Sequence, residues 1–199
     1  MSLQVINHYE RLLDEHAWMQ DGFHWTVART GTLPPSIEEI GARLSRSAEA
    51  GVEEEVDVAA GADHFIPRSA VSVDRQKEGY FLFQNQDCGV DEPAVLQELS
   101  EKDERAWSLT SILYKHKFTY AVDGEIRLKW RAIPHGDRPI AHDPVDEDLS
   151  FVLDVCREAN IRFGLAALMA VIDIGSGVRM DINWPHAPRP AVIIDDPIW

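Results

Sequence analysis

The chain has 199 residues, with 34 acidic against 19 basic side chains and a formal net charge of −15. A hydrophobic share of 45% with six Trp supplies the core of one ordinary domain and excludes wholesale disorder. No apolar run reaches the ~18 residues of a membrane-crossing helix, and the acidic field repels nucleic acid and anionic membrane while attracting cationic partners.

The first ten residues, Met1 to Glu10, lack the basic and apolar regions of a signal peptide. Cys88 and Cys156 are the two cysteines, far apart, and two thiols are the expected state. Both features predict a cytoplasmic protein. Ile6, Tyr9, Leu13 and Ala17 recur at helical spacing, predicting an amphipathic helix over 3–20 that stops near Asp21-Gly22. Phe23, Trp25 and Val27 then alternate with His24, Thr26 and Ala28, the period of a half-buried strand. Ser36 and Glu39 have capping-box spacing at the start of a helix over 36–48, with Ile37, Ile40 and Leu44 as its inner stripe.

Residues 51–61 are acidic and Ala-rich, a loop or a short edge strand. Strands are expected over 65–73 and 79–84, joined by a charged turn at 74–78. A turn at 85–89 and a short helix over 91–100 follow, with Pro93 in its first turn, where proline is tolerated. A hairpin is expected from Trp107 to Arg131. A three-residue loop, Val122 to Gly124, pairs Tyr120 with Ile126 and puts Phe118, Tyr120, Ile126, Leu128 and Trp130 on one face. A two-residue loop mixes that stripe with Arg127, Lys129 and Arg131, so the three-residue loop is predicted, with Gly124 left-handed and an outward basic row. Residues 134–148 read as a loop, 149–159 as a helix, and 161–174 as a more apolar helix closed by Gly175. From Asn183 the chain is Pro-rich, with Ala191 to Ile194 as a candidate last strand.

In order, several of these segments resemble an uncharacterised family of bacterial domains widespread in actinobacteria. They are Trp25 to Gly41, Phe81 to Asn85 with Pro93 to Ser100, Phe118-Thr-Tyr-Ala-Val-Asp-Gly124 with its following strand, and Ala166 to Met169 with Gly177 to Arg179. The resemblance spans most of 23–180 and implies a fold, with no catalytic residues to carry over. A fainter likeness, Phe83 to Val90, is to the Glu-Asn-Gln-Gly-Val turn of SUKH immunity proteins, which neutralise toxins; it departs at the first position and inserts two residues before Gly89.

The chemistry-bearing patterns are sparse. His135, Asp137, His142 and Asp143 form the one metal-like constellation, set in a proline-rich loop that reads as a solvated polar segment. His8, His16 and Glu15 share a helix without a His-Glu-x-x-His motif. Cys88 has no base beside it, and Ser176 lacks a nucleophile elbow. Gly175 and Gly177 follow a helix, unlike a dinucleotide fingerprint. Trp18, Trp25, Trp107 and Trp130 read as core or groove walls. Acid, by contrast, is clustered: Glu53, Glu54, Glu55 and Asp57; Glu101, Asp103 and Glu104; Asp146, Glu147 and Asp148.

The expectation is an α+β domain over 1–182, with a largely antiparallel central sheet flanked by four or five helices, and a Pro-rich tail over 183–199 packed on it. Its expected function is non-enzymatic: a protein-binding module masking a basic partner, of which an immunity-type antitoxin is one form, with no cofactor. The alternatives are a metal-dependent hydrolase or a small-ligand sensor using the 135–143 loop.

Overall fold

The computed structural model describes residues 2–47, 49–58, 69–85, 89–102, 104–113, 115–132 and 164–198. Its strands are β1 (Gly22–Arg29), β2 (Gly51–Val56), β3 (Ser69–Gln76), β4 (Gly79–Gln84), β5 (Arg105–Ile112), β6 (Lys115–Val122), β7 (Glu125–Ala132) and β8 (Arg189–Ile194). They form one eight-stranded sheet in the order β2-β8-β3-β4-β1-β5-β6-β7, and every pairing is antiparallel. The helices are α1 (Ser2–Glu15), α2 (Ile37–Leu44), α3 (Pro93–Leu99) and α4 (Leu165–Ser176). This is the α+β architecture that the sequence predicts.

β1 corrects one expectation. Its alternation suggests a half-buried strand, yet Gly22 through Ala28 are all buried, as is the whole of β4 beside it. The cause is that helices cover both faces of the sheet. On one face α1 and α4 pack over Phe23, Trp25, Phe81, Phe83, Trp107 and Phe118. On the other, α2 and α3 pack over Ala28, Tyr80, Leu82, Ala106, Ala121 and Val192. A central strand covered twice must bury its polar alternates too, and those need partners.

The helix termini follow local chemistry. Ser36 Oγ accepts from the Glu39 amide while the Glu39 carboxylate accepts from the Ser36 amide, and Pro93 opens α3. α1 ends at Glu15 and continues as a 3₁₀ turn over Ala17–Gln20, so the predicted single helix over 3–20 has two parts. α4 runs through Gly175; Gly177, at φ 74°, closes it instead. The turn between β3 and β4 is only Lys77-Glu78, shorter than the expected 74–78.

The segment 107–132 is a three-stranded meander, since Trp107 lies in β5 and pairs with Tyr120 of β6. The predicted three-residue loop is overturned. Val122 pairs with Glu125, so the loop is Asp123-Gly124, with φ 52° and 71°, the left-handed pair that suits a two-residue hairpin turn. A bulge then shifts the register: Ala121 faces Ile126, whereas Tyr120 faces Leu128. One extra residue restores the apolar pairing that the tight turn would break. Ile126 is left on the opposite face, against the α2–α3 core.

β8 contains the expected last strand, Ala191 to Ile194; it lies between β2 and β3, so the C-terminal segment supplies an inner strand of the sheet. Ahead of it, Trp184 is buried against Phe81 and Phe83, and the Arg189 guanidinium sits 5.3 Å from its ring centre. The expected helix over 149–159 and loop over 134–148 lie outside the described residues.

Candidate functional site

The structure separates the acidic clusters. Glu53, Glu55 and Asp57 are exposed on and just after β2, which ends the sheet among the described residues. Glu101 is exposed beside the β6–β7 turn, whose Gly124 amide donates to Ser100 O. Five strand spacings, about 24 Å, lie between β2 and β5. Glu104 is partly spent internally, because its carboxylate accepts from Arg43 Nη1 of α2 at 3.1 Å. The two flank a surface groove of about 410 Å³, lined also by Leu33, Pro35 and Glu39. Glu54 lies in β2; Asp103, Asp146, Glu147 and Asp148 lie outside the described residues, as do Cys88 and the metal candidates His135, Asp137, His142 and Asp143. Among the described residues no group of His, Cys, Asp or Glu is arranged to hold a metal.

The other sequence candidates serve the fold. His8 Nε2 and His16 Nε2 bond Met180 O at 2.9 Å and Ile182 O at 2.7 Å, fastening the segment after α4 to α1. Ser176 Oγ donates to Ile172 O and accepts from the Val178 amide, finishing α4. Asp173 gathers Arg179 Nε at 2.6 Å and the Tyr9 hydroxyl at 3.2 Å. Burial, then the Asp173 charge, pushes the Tyr9 hydroxyl well above its ordinary value, so Tyr9 acts there as a fixed donor.

The densest polar constellation is one that the sequence reading passed over. In β1 and β5 the polar residues facing α2 and α3 are His24 and Thr26, and Ser108 and Thr110, directly opposite one another. The connection into α3 lies on them. Thr26 Oγ1 donates to Val90 O at 2.7 Å, and the Val90 amide donates to Gln84 Oε1. Asp91 then accepts from Thr110 Oγ1 at 2.7 Å, lies 3.1 Å from His24 Nδ1 through its other oxygen, and pairs with Lys117 Nζ of β6 at 3.1 Å. Burial of Asp91 opposes its ionisation; the His24 hydrogen bond and charge, with Thr110 and Lys117, outweigh it and hold the carboxyl well below the usual carboxylate range. The only hint in the sequence is that strands otherwise apolar carry His24, Thr26, Ser108 and Thr110 at alternate positions. With one face assumed solvated, such residues look ordinary; with both faces covered, they demand partners.

Chemically, Asp91 orients the His24 ring, and His24 Nε2 is buried with no hydrogen-bond partner. That is the base and orienter of a hydrolytic triad without its nucleophile, since no described hydroxyl or thiol reaches Nε2. What the constellation visibly does is tie the β4–α3 connection to three strands.

No family model, curated protein or solved structure matches the chain, and the likeness to an actinobacterial-type family rests on the sequence segments alone. No described helix is long and apolar enough to cross a membrane.

Proposed function

We propose that this protein is a non-enzymatic binding module that docks and masks a basic protein partner, as an immunity-type antitoxin does. The observation that carries the reading is β2, the end strand of the sheet among the described residues, bearing exposed Glu53 and Glu55. An edge strand offers unpaired backbone groups to an added strand. Its acid repels a second copy of this chain, itself at −15, and favours a cationic segment. The polar groups that most resemble a catalytic set are engaged in fastening α3, which supports the same reading.

The test is capture of partners from the source cell at low and at high salt, repeated with Glu53, Glu54 and Glu55 reversed to Lys. A control reverses Glu10, Asp14 and Asp21, exposed residues of the α1 region, and so makes the same change in net charge. Masking at β2 predicts a basic partner that is lost with the first variant and retained by the second. Equal loss with both would reduce the effect to bulk charge. Turnover of a small substrate that His135→Ala or Asp137→Ala abolishes, with no partner recovered, would favour the metal-dependent enzyme.

A further inference from the structure

On the face that carries α2 and α3, the cross-strand rows change character along the strands. Ala28, Ala106, Ala121 and Ile126 form an apolar row against the α2–α3 core. Two residues along, the row is Thr26, Ser108, Thr119 and Lys129; two further, it is His24, Thr110 and Lys117, with Arg131 in register. A patch of basic and hydroxyl groups thus occupies the β6–β7 end of a protein whose net charge is −15.

Two atoms there are buried without any hydrogen-bond partner: Thr119 Oγ1, in a residue 2% exposed, and His24 Nε2, in one fully buried. Buried polar groups left in this way call for a partner. Charge fixes the sign of that partner. Lys129 stands opposite Thr119, is exposed, and forms no ion pair among the described residues. Lys117 is one third exposed and, among the described residues, donates only to Asp91, leaving donor capacity. Asp91 itself is already engaged, with one oxygen on His24 and the other on Thr110 and Lys117.

We propose that this end of the sheet binds a small organic oxyanion, its phosphate or carboxylate head held by Lys117, Lys129 and the Thr119 hydroxyl. The rows place His24 two strand spacings from Thr119 and one step along, about 12 Å away, beyond the reach of a bare ion. Because Asp91 lies on the Nδ1 side, Nε2 is the ring atom left to meet a hydroxyl or amide on the body of the ligand. The site is on the β7 edge, at the far end of the sheet from β2, so it stands or fails apart from partner masking.

The experiment is calorimetric and thermal-shift titration of the full chain with adenosine 5′-monophosphate, inorganic phosphate, sulfate and acetate. The nucleotide, long enough to put an amine about 10 Å from its phosphate, is expected to bind more tightly than inorganic phosphate or sulfate, and acetate reports whether a carboxylate head suffices. Thr119→Val removes only the orphan hydroxyl; it should leave the melting temperature unchanged or higher and weaken binding about tenfold, one charge-assisted hydrogen bond. Lys129→Glu should abolish binding without unfolding an exposed position. No heat or shift with any of the four, or binding that survives both substitutions, would overturn the proposal.

Discussion

Asp91→Ala tests the polar constellation at its hub. The substitution leaves the His24 Nδ1 and Thr110 Oγ1 donors without their shared acceptor, in residues 0% and 7% exposed. Thr110 Oγ1 and His24 Nδ1 lie 3.2 Å apart and can then serve each other, so one unmet buried donor and the lost charge-assisted bonds together are expected to cost ~2–4 kcal/mol. Lys117, one third exposed, returns to water at little cost. A chain of this length shifts its melting temperature by about 2–4 °C per kcal/mol, which puts the drop at ~5–15 °C by calorimetry. The pH dependence follows from the depressed carboxyl. A group whose folded pKa lies below its unfolded value of about 3.9 contributes fully above that value and loses the contribution as pH falls through the folded one. The difference between wild type and variant should therefore be constant from pH 7 to about pH 5 and shrink below about pH 4. A variant melting within about 2 °C of wild type, or a Lys117→Met variant equally damaged, would refute the assignment of Asp91 as hub.

Three further outcomes are expected. Gly79→Ala should fail to fold or lose more than about 4 kcal/mol in denaturant titration, because a Cβ there meets Ala28 O at 2.1 Å and the β4–β1 pairing must part. Gly124→Ala should cost only ~1–2 kcal/mol of left-handed strain, its new Cβ meeting nothing nearer than 3.8 Å; an unchanged melting temperature would contradict the turn. His116, pushed down by burial, binds fewer protons folded than unfolded, so stability falls as pH drops below about 6.5, and His116→Gln should flatten that slope in melts from pH 7.5 to 5.

Elements were legible where a local rule acted alone. The Ser36–Glu39 box, Pro93 at the start of α3 and the apolar run of α4 each depend on neighbours within a turn. Errors arose where distant segments decide. Whether β1 is covered on one face or two depends on α2 and α3, and the same blindness hid the partners of His24 and Thr26. The apolar stripe of the hairpin cannot reveal a bulge: Arg127 as an extra residue permits the tight Asp123-Gly124 turn while keeping Tyr120 opposite Leu128. Ala191 to Ile194 reads as a strand locally, but nothing local inserts it between β2 and β3. Of the site, the exposed acid of β2 was visible in the run Glu53 to Asp57, whereas Asp91, one acid among many, shows its role only once the sheet assembles around it.

Amide hydrogen exchange on the complex with a captured basic partner tests the masking reading most directly. The β2 amides that do not face β8 should exchange with solvent in the free protein and become strongly protected in the complex. Protection at β7 and α1 should stay unchanged, and Glu53, Glu54 and Glu55 reversed to Lys should abolish the β2 effect. Protection that arises on α1 or β7 while the β2 amides exchange as before would contradict docking at this edge.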